Sequence, residues 1–217
     1  MARKSPPRVV VVDYGAGNLR SVAKALERSG VGVQVTADPA VVRRADGVVL
    51  PGVGAFDDAV RSLAASGLDD AVRESIASGR PYLGLCLGLQ VLFDESDEHG
   101  VSAGFGLLRG RVERFSKHDE DGSLLRVPHI GWNEVEFGGT HPMCEGLPER
   151  DVYYFVHSYR PVPVDEACVV GRTRYGGPFA AAVARSNVFA VQFHPEKSQR
   201  AGKRLLDAYR RWIEGAG

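Results

Sequence analysis

The chain has 217 residues, 44% of them hydrophobic, which is enough to bury one sizeable core. Its 27 basic and 27 acidic residues cancel, so no overall field draws nucleic acid or an anionic membrane, and partners have to be recognised locally. Three cysteines, an odd number with no C-x-x-C pair, argue against a disulfide framework or a structural zinc site and for a reducing, cytoplasmic setting, with no metal and no cofactor expected.

Residues 1–7 read as a flexible, partly basic lead-in, and the apolar run behind them is too short for a signal peptide or a membrane span. That run, residues 9–12, is all valine, the pattern of a parallel strand covered on both faces. Gly15-Ala16-Gly17-Asn18 begins like a dinucleotide-binding fingerprint, but Arg20 stands at the third glycine, which leaves a tight strand-to-helix turn. Leu19, Val22, Ala23 and Leu26 then recur at helical spacing up to a stop at Gly30. Val33 and Val35 alternate as a strand, Asp38-Pro39 turns into a short helix, and residues 48–50 form the next strand. Pro51-Gly52-Val53-Gly54 is predicted as a loop whose glycines let backbone N–H groups approach a ligand. Helices are predicted over 56–65 and 69–78, with Gly79 as terminator and Pro81 opening another strand.

The stretch Tyr82-Leu83-Gly84-Leu85-Cys86-Leu87-Gly88-Leu89-Gln90 reads as a buried strand, a sharp turn carrying a thiol, and the first turn of a helix. Glycines two residues before and two after Cys86 remove Cβ atoms where the chain reverses, the nucleophile-elbow pattern with cysteine in place of serine. The turn pushes the side chain out of the sheet, and a helix N-terminus favours the thiolate, which is the nucleophilic form. The competing reading is a glycine-flanked cysteine buried as core.

Beyond the elbow the texture is richer in strand than in helix. Strands are predicted over 109–115, 124–127, 132–137 and 152–159, with an exposed polar loop over 116–123. Cys144, in a loop, and Cys168, in an apolar run, read as structural. Residues 188–193 form a largely apolar strand ending in His194-Pro195-Glu196; Pro195 keeps His194 extended at the strand's end, and Glu196 is close enough to orient the ring. A last helix places Leu205, Leu206, Tyr209, Trp212 and Ile213 on one packing face before Gly215.

The fold class is therefore α/β: an open, largely parallel central sheet flanked by helices, one domain over 1–217, with a strand-rich section after the nucleophile helix. Ligands of such sheets bind beyond the carboxyl ends of the strands, where the elbow, the glycine-rich loop and the His-Pro-Glu turn all fall. Cys86, His194 and Glu196 then converge as nucleophile, general base and acid, and orienting group.

Gly84-Leu85-Cys86-Leu87-Gly88-Leu89-Gln90 together with His194-Pro195-Glu196 resembles the signature of class I, triad-type glutamine amidotransferases. More narrowly, Pro51-Gly52-Val53-Gly54-Ala55-Phe56, Pro128-His129-Ile130-Gly131-Trp132-Asn133, Tyr154-Phe155-Val156-His157-Ser158-Tyr159 and His194-Pro195-Glu196-Lys197-Ser198 are similar to the glutaminase subunit of imidazole glycerol phosphate synthase, over essentially the whole chain. Leu89 stands where that family usually has Met, a volume-conserving exchange. The resemblance implies hydrolysis of glutamine to glutamate through a thioester on Cys86, and transfer of the ammonia to a separate (β/α)₈-barrel cyclase subunit in histidine biosynthesis. It assigns the oxyanion donors to the backbones of Val53 and Leu87, and glutamine contacts to Gly54, Gln90, Glu98, Ser158 and Tyr159. It puts Pro128, His129, Ile130, Gly131, Trp132, Asn133 and Lys197 near the partner interface. Without the family, Gln90 and Glu98 read as solvated polar residues and Trp132 as core. Three alternatives stand beside this reading: a glutaminase serving an anthranilate or pyridoxal phosphate synthase, a non-catalytic module of the same fold, and a cysteine peptidase, for which no groove for an extended chain is visible.

Overall fold

In the computed structural model, which describes residues 6–216, the valine run forms β1 (Arg8–Val12). It is followed by α1 (Leu19–Arg28), β2 (Gly32–Thr36), α2 (Pro39–Val42), β3 (Gly47–Gly52), α3 (Phe56–Ser66), α4 (Leu68–Ala77), β4 (Tyr82–Cys86) and α5 (Leu87–Gln90). Strands then dominate: β5 (Phe93–Ser96), β6 (Ser102–Ala103), β7 (Leu108–Arg114), β8 (His129–Phe137), β9 (Arg150–His157), β10 (Tyr159–Pro163), β11 (Val169–Arg174), β12 (Pro178–Arg185) and β13 (Val188–Val191), before α6 (Gln199–Ala216) closes the chain.

Nine strands form one sheet in the order β2-β1-β3-β4-β13-β12-β11-β8-β9, and β10-β7-β5-β6 form a second. From β2 to β13 the large sheet is parallel; from β13 to β9 it is antiparallel. The parallel half is unbroken apolar sequence because helices cover both of its faces. Val9 and Val11 enter a cluster with Leu26 of α1 and Leu205 and Tyr209 of α6, whereas Val10 and Val12 enter another with Leu63 of α3 and Leu68 and Val72 of α4. Each such leucine, fully buried, contributes about 1.5–3 kcal/mol relative to exposure.

Four readings of the sequence change. Residues 124–127 are not a strand: Leu124 is 83% exposed and makes only an isolated bridge with His118. Residues 152–159 are not one strand either, because the chain breaks at Ser158 and passes from β9 in the large sheet to β10 in the small one. The expected loop at 51–54 is shorter, since β3 runs through Pro51 and Gly52. Of the lead-in, residues 1–5 lie outside the described residues, while the carbonyl of Pro7 accepts a hydrogen bond from Gly32 N at 2.9 Å and so is tied to β2. Among the described residues no helix is long and apolar enough to cross a membrane.

Candidate active site

The register of three parallel strands decides what meets at their carboxyl ends. Gly52 of β3 is level with Cys86 of β4, so Val53 and Leu87 leave the sheet as neighbours. Val191 of β13 is level with Leu85, so Gln192 comes beside Cys86 and His194 follows just beyond.

Cys86 has φ 53° and ψ −102°, a conformation that costs a residue with a side chain about 1–3 kcal/mol. The two flanking glycines make the turn attainable by close approach. A Cβ on Gly88 would strike the carbonyl of Leu50, and one on Gly84 would strike the carbonyl of Gly88 and Cβ of Ala190. The helix that follows is a single turn of four residues, α5, shorter than the expected elbow helix. Cys86 is 7% exposed, and that residual exposure opens into a pocket of about 310 Å³ lined by Val53, Gly54, Leu87, Gln90, Glu98, Pro128, His157, Ser158 and Tyr159. This is the small end of ligand-pocket sizes, suited to a free amino acid rather than an extended peptide. A larger hollow of about 630 Å³, around Arg44, Arg80 and Ile213, lies elsewhere and is lined by no cysteine or histidine.

His194 and Glu196 are nearly sealed from solvent, with Nδ1 and Oε1 2.8 Å apart. The other ring nitrogen, Nε2, is buried without a well-aligned partner and lies toward the Cys86 sulfur. Burial disfavours the imidazolium, but the sulfur and the Glu196 carboxylate outweigh it and raise His194 from 6.5 to about 10. The ring is therefore set to hold a proton beside the sulfur.

Gln90 is buried, not solvated. Its Nε2 donates to the carbonyl of Tyr159 (3.0 Å) and to Oε1 of Gln192 (3.1 Å), which spends both N–H bonds and leaves its oxygen as the group it can offer a ligand. Glu98 is anchored through Oε2, which accepts from Phe56 N at the start of α3 (2.8 Å), where a helix N-terminus favours negative charge. Gly54 has φ 101° and Val53 is 44% exposed at the pocket mouth. Ser158 and Tyr159 reach the pocket because of the break between β9 and β10. Their carbonyls are engaged within the protein, Ser158 by Phe115 N and Tyr159 by Gln90 and His157.

The residues expected at a partner face divide. Ile130 and Trp132 of β8 are 59% and 49% exposed, so Trp132 is not core; its ring packs edge-on against Tyr154, over which the Lys197 amine also sits at 5.7 Å. Pro128, Lys197 and the backbone at Gly131 are accessible, and Asn133 is half-buried with Nδ2 donating to the carbonyl of Arg174. His129 is the correction. The strand alternates, and position 129 falls on its inner side, where the ring is 3% exposed and stacks on Tyr175. His157 Nδ1 donates to the Tyr159 carbonyl (2.8 Å), so its Nε2 accepts from His129 Nδ1 at 3.0 Å. Burial pushes the two rings down from 6.5, His129 to about 4 and His157 to about 3, and both are neutral.

Two residues beside the sulfur escaped the sequence reading. Gln192 is a fully buried polar residue inside a run judged simply apolar, and that misfit was its signal. Tyr14, just after β1, has a buried hydroxyl with no well-aligned partner beside the Val53 backbone; burial and the nearby Cys86 charge keep it protonated. Cys144 and Cys168 sit in short 3₁₀ turns, and burial raises each thiol to about 11, which makes them poor nucleophiles. Among the described residues, no group of three or more His, Cys, Asp or Glu is placed to hold a metal ion.

This geometry can be set against known proteins. The family model for class-I glutamine amidotransferases matches residues 10–209. The chain is 50% identical to the imidazole glycerol phosphate synthase subunit HisH of Syntrophotalea carbinolica over 91% of its own length and 97% of the relative's. It is 49% identical to the HisH subunit of Aquifex aeolicus, covering 95% and 98%. In fold it is similar to a chain in the structure of PurLQS from Thermotoga maritima, with a TM-score of 0.75 at 21% identity over 96% of this chain and 99% of that one. The elbow, the sheet that carries it and the match along nearly the whole chain agree, and the chain belongs to the class-I glutamine amidotransferase family, among its imidazole glycerol phosphate synthase HisH subunits.

Proposed function

We propose that the chain is the glutaminase subunit of an imidazole glycerol phosphate synthase, working in the cytoplasm beside a separate (β/α)₈-barrel cyclase subunit. The observation that carries this reading is the strained Cys86 at the floor of an amino-acid-sized pocket, with the His194–Glu196 pair next to it. In the first half-reaction the Cys86 thiolate attacks the glutamine carboxamide carbon, the S–C bond forms, and the C–N bond breaks as His194 gives its proton to the departing ammonia. In the second, His194 takes a proton from water, the water oxygen attacks the thioester, and glutamate leaves with the sulfur restored. Glu196 holds the ring throughout.

The tetrahedral oxyanion needs N–H donors, and the backbones of Val53 and Leu87, which follow the level residues Gly52 and Cys86, would supply them. Losing one such donor typically costs about 2.7–4 kcal/mol. Gln90 through its free oxygen, Glu98 through its carboxylate, and Gly54, Ser158 and Tyr159 through backbone would hold the amino-acid end of the substrate. Ammonia must stay unprotonated to react, so a shielded route through the face bearing Ile130, Trp132 and Lys197 into the cyclase suits the chemistry. The turn at Val53 and Gly54 has the freedom to present its N–H only after the partner docks, which would keep the isolated chain nearly inactive.

The test is direct. With a purified cyclase subunit, Cys86→Ala abolishes glutamine-dependent product formation while synthesis from added ammonium salt persists. Retained glutamine use refutes the nucleophile assignment. Equal glutaminase rates with and without the liganded cyclase refute the activation step.

A further inference from the structure

We propose that Gln192 is a positioning residue for the nucleophile: its side-chain amide donates to Cys86 Sγ, and Gln90 holds that amide in the donating orientation. The inference rests on the reading of Cys86 as the nucleophile.

The orientation follows from a chain of hydrogen bonds that allows one assignment. A backbone carbonyl only accepts, so at Tyr159 O, 3.0 Å from Gln90, the Gln90 atom is the amide nitrogen. The second hydrogen of that nitrogen points at Gln192, 3.1 Å away, so the Gln192 atom there is the oxygen. The Gln192 nitrogen is thereby turned to the sulfur, 3.5 Å away. The anchor itself is held, because His157 Nδ1 donates to the same Tyr159 carbonyl at 2.8 Å. Gln192 is 0% exposed and its backbone N donates to Ala181 O at 2.8 Å, so neither water nor backbone slack offers the amide an alternative.

A donor that cannot exchange its proton has a distinct use at this sulfur. His194 must carry a proton to the leaving nitrogen, and while it turns to that task something else has to keep the thiolate aimed at the substrate carbon. The titratable groups facing Cys86 are His194, beyond the end of β13, and Tyr14, beyond the end of β1. The Tyr14 hydroxyl lies beside the Val53 backbone with no well-aligned hydrogen bond, and the Gln192 amide is the neutral side-chain donor on the sulfur. Hydrogen bonds to a charged acceptor are the strong ones, which favours the thiolate at neutral pH.

The experiment uses the full chain, iodoacetamide as probe, and mass spectrometry of the Cys86 peptide to follow alkylation at pH 7 and pH 10. Gln192→Glu is isosteric and still accepts from Gln90 but has no donor and carries like charge; Gln192→Met keeps the length and packing and has no donor. Alkylation at pH 7 should slow by about tenfold or more in Gln192→Met, the equivalent of about 1.4 kcal/mol, and further in Gln192→Glu. At pH 10, where thiolate forms regardless, the rates should converge with the parent. A purely packing role would leave the pH 7 to pH 10 ratio unchanged, and a parent-like ratio in Gln192→Met overturns the proposal. If Gln192→Met does not fold, a parent-like ratio in Gln192→Glu does so instead. Failure of the nucleophile reading is seen elsewhere, as glutamine use surviving Cys86→Ala, so the two failures are distinguishable.

Discussion

In the parallel half of the large sheet β3, β4 and β13 are buried at every position, while in the antiparallel half β8 alternates buried and exposed side chains along its length. The first arrangement has helices on both faces; the second leaves one row of side chains open. Parallel neighbours also point their carboxyl ends the same way, so three adjacent strands deliver Gly52, Cys86 and Gln192 to one edge, with His194 just past it. Antiparallel neighbours cannot do this, since every second strand ends at the opposite edge. The contrast teaches that the candidate catalytic groups converge in the half with no freedom in its packing, and that the accessible side chains lie in the half whose strands alternate. β13 is the seam, parallel to β4 on one side and antiparallel to β12 on the other.

The sharpest way to break that contrast is Gly88→Ala. Its methyl would lie far inside contact distance of the Leu50 carbonyl, in backbone that α3 and α4 hold from the far side, so the loss should reach at least ~4 kcal/mol of a typical 5–15 kcal/mol stability. Urea unfolding of the purified variant reads it, and a loss under about 1 kcal/mol would mean the parallel half is softer than described.

Acid probes the other half through His129 and His157. Their folded values, about 4 and about 3, lie below the ordinary 6.5, so the unfolded chain binds more protons in between. Their contribution is complete above pH 6.5 and is lost as pH falls toward the folded values, roughly 1 kcal/mol for each by pH 5.5. His194, raised to about 10, works in the opposite sense: its contribution is complete below 6.5 and fades as pH climbs through 10. Unfolding free energies from urea titration should therefore fall by roughly 1–2 kcal/mol from pH 7 to pH 5.5 in the parent, His194 offsetting part of the loss, and by about 1 kcal/mol less in His129→Phe; an equal fall in both would remove the buried pair from the account.

Trp132→Ala should be the mildest for the fold and specific to the partner. The ring is half-exposed, so stability should stay within about 0.5 kcal/mol, while affinity for the cyclase subunit falls by roughly 1–2 kcal/mol. Calorimetric titration with the cyclase measures this. Unchanged affinity would move the partner face off β8.

Much of the site was legible locally. The valine run, the glycine spacing around Cys86 and the His-Pro-Glu turn are short-range signals, and each landed where its pattern required. Two strands went unread for reasons also local in origin: β12 is alanine-rich and lacks the β-branched signature of a strand, and β5 is four residues with two acidic side chains. Leu124 and its neighbours had the apolar composition of a strand but nothing pairs with them.

From its sequence alone this protein declares its α/β class, its elbow and its three candidate catalytic side chains, because side-chain period, backbone strain and proline geometry act over a few residues. Only the tertiary structure decided that Gln192 and Tyr14 flank the sulfur, that His129 turns inward to His157, and that the chain changes sheets at Ser158. Those facts depend on which strands lie side by side and in what register, and register is set by packing between segments far apart in the chain.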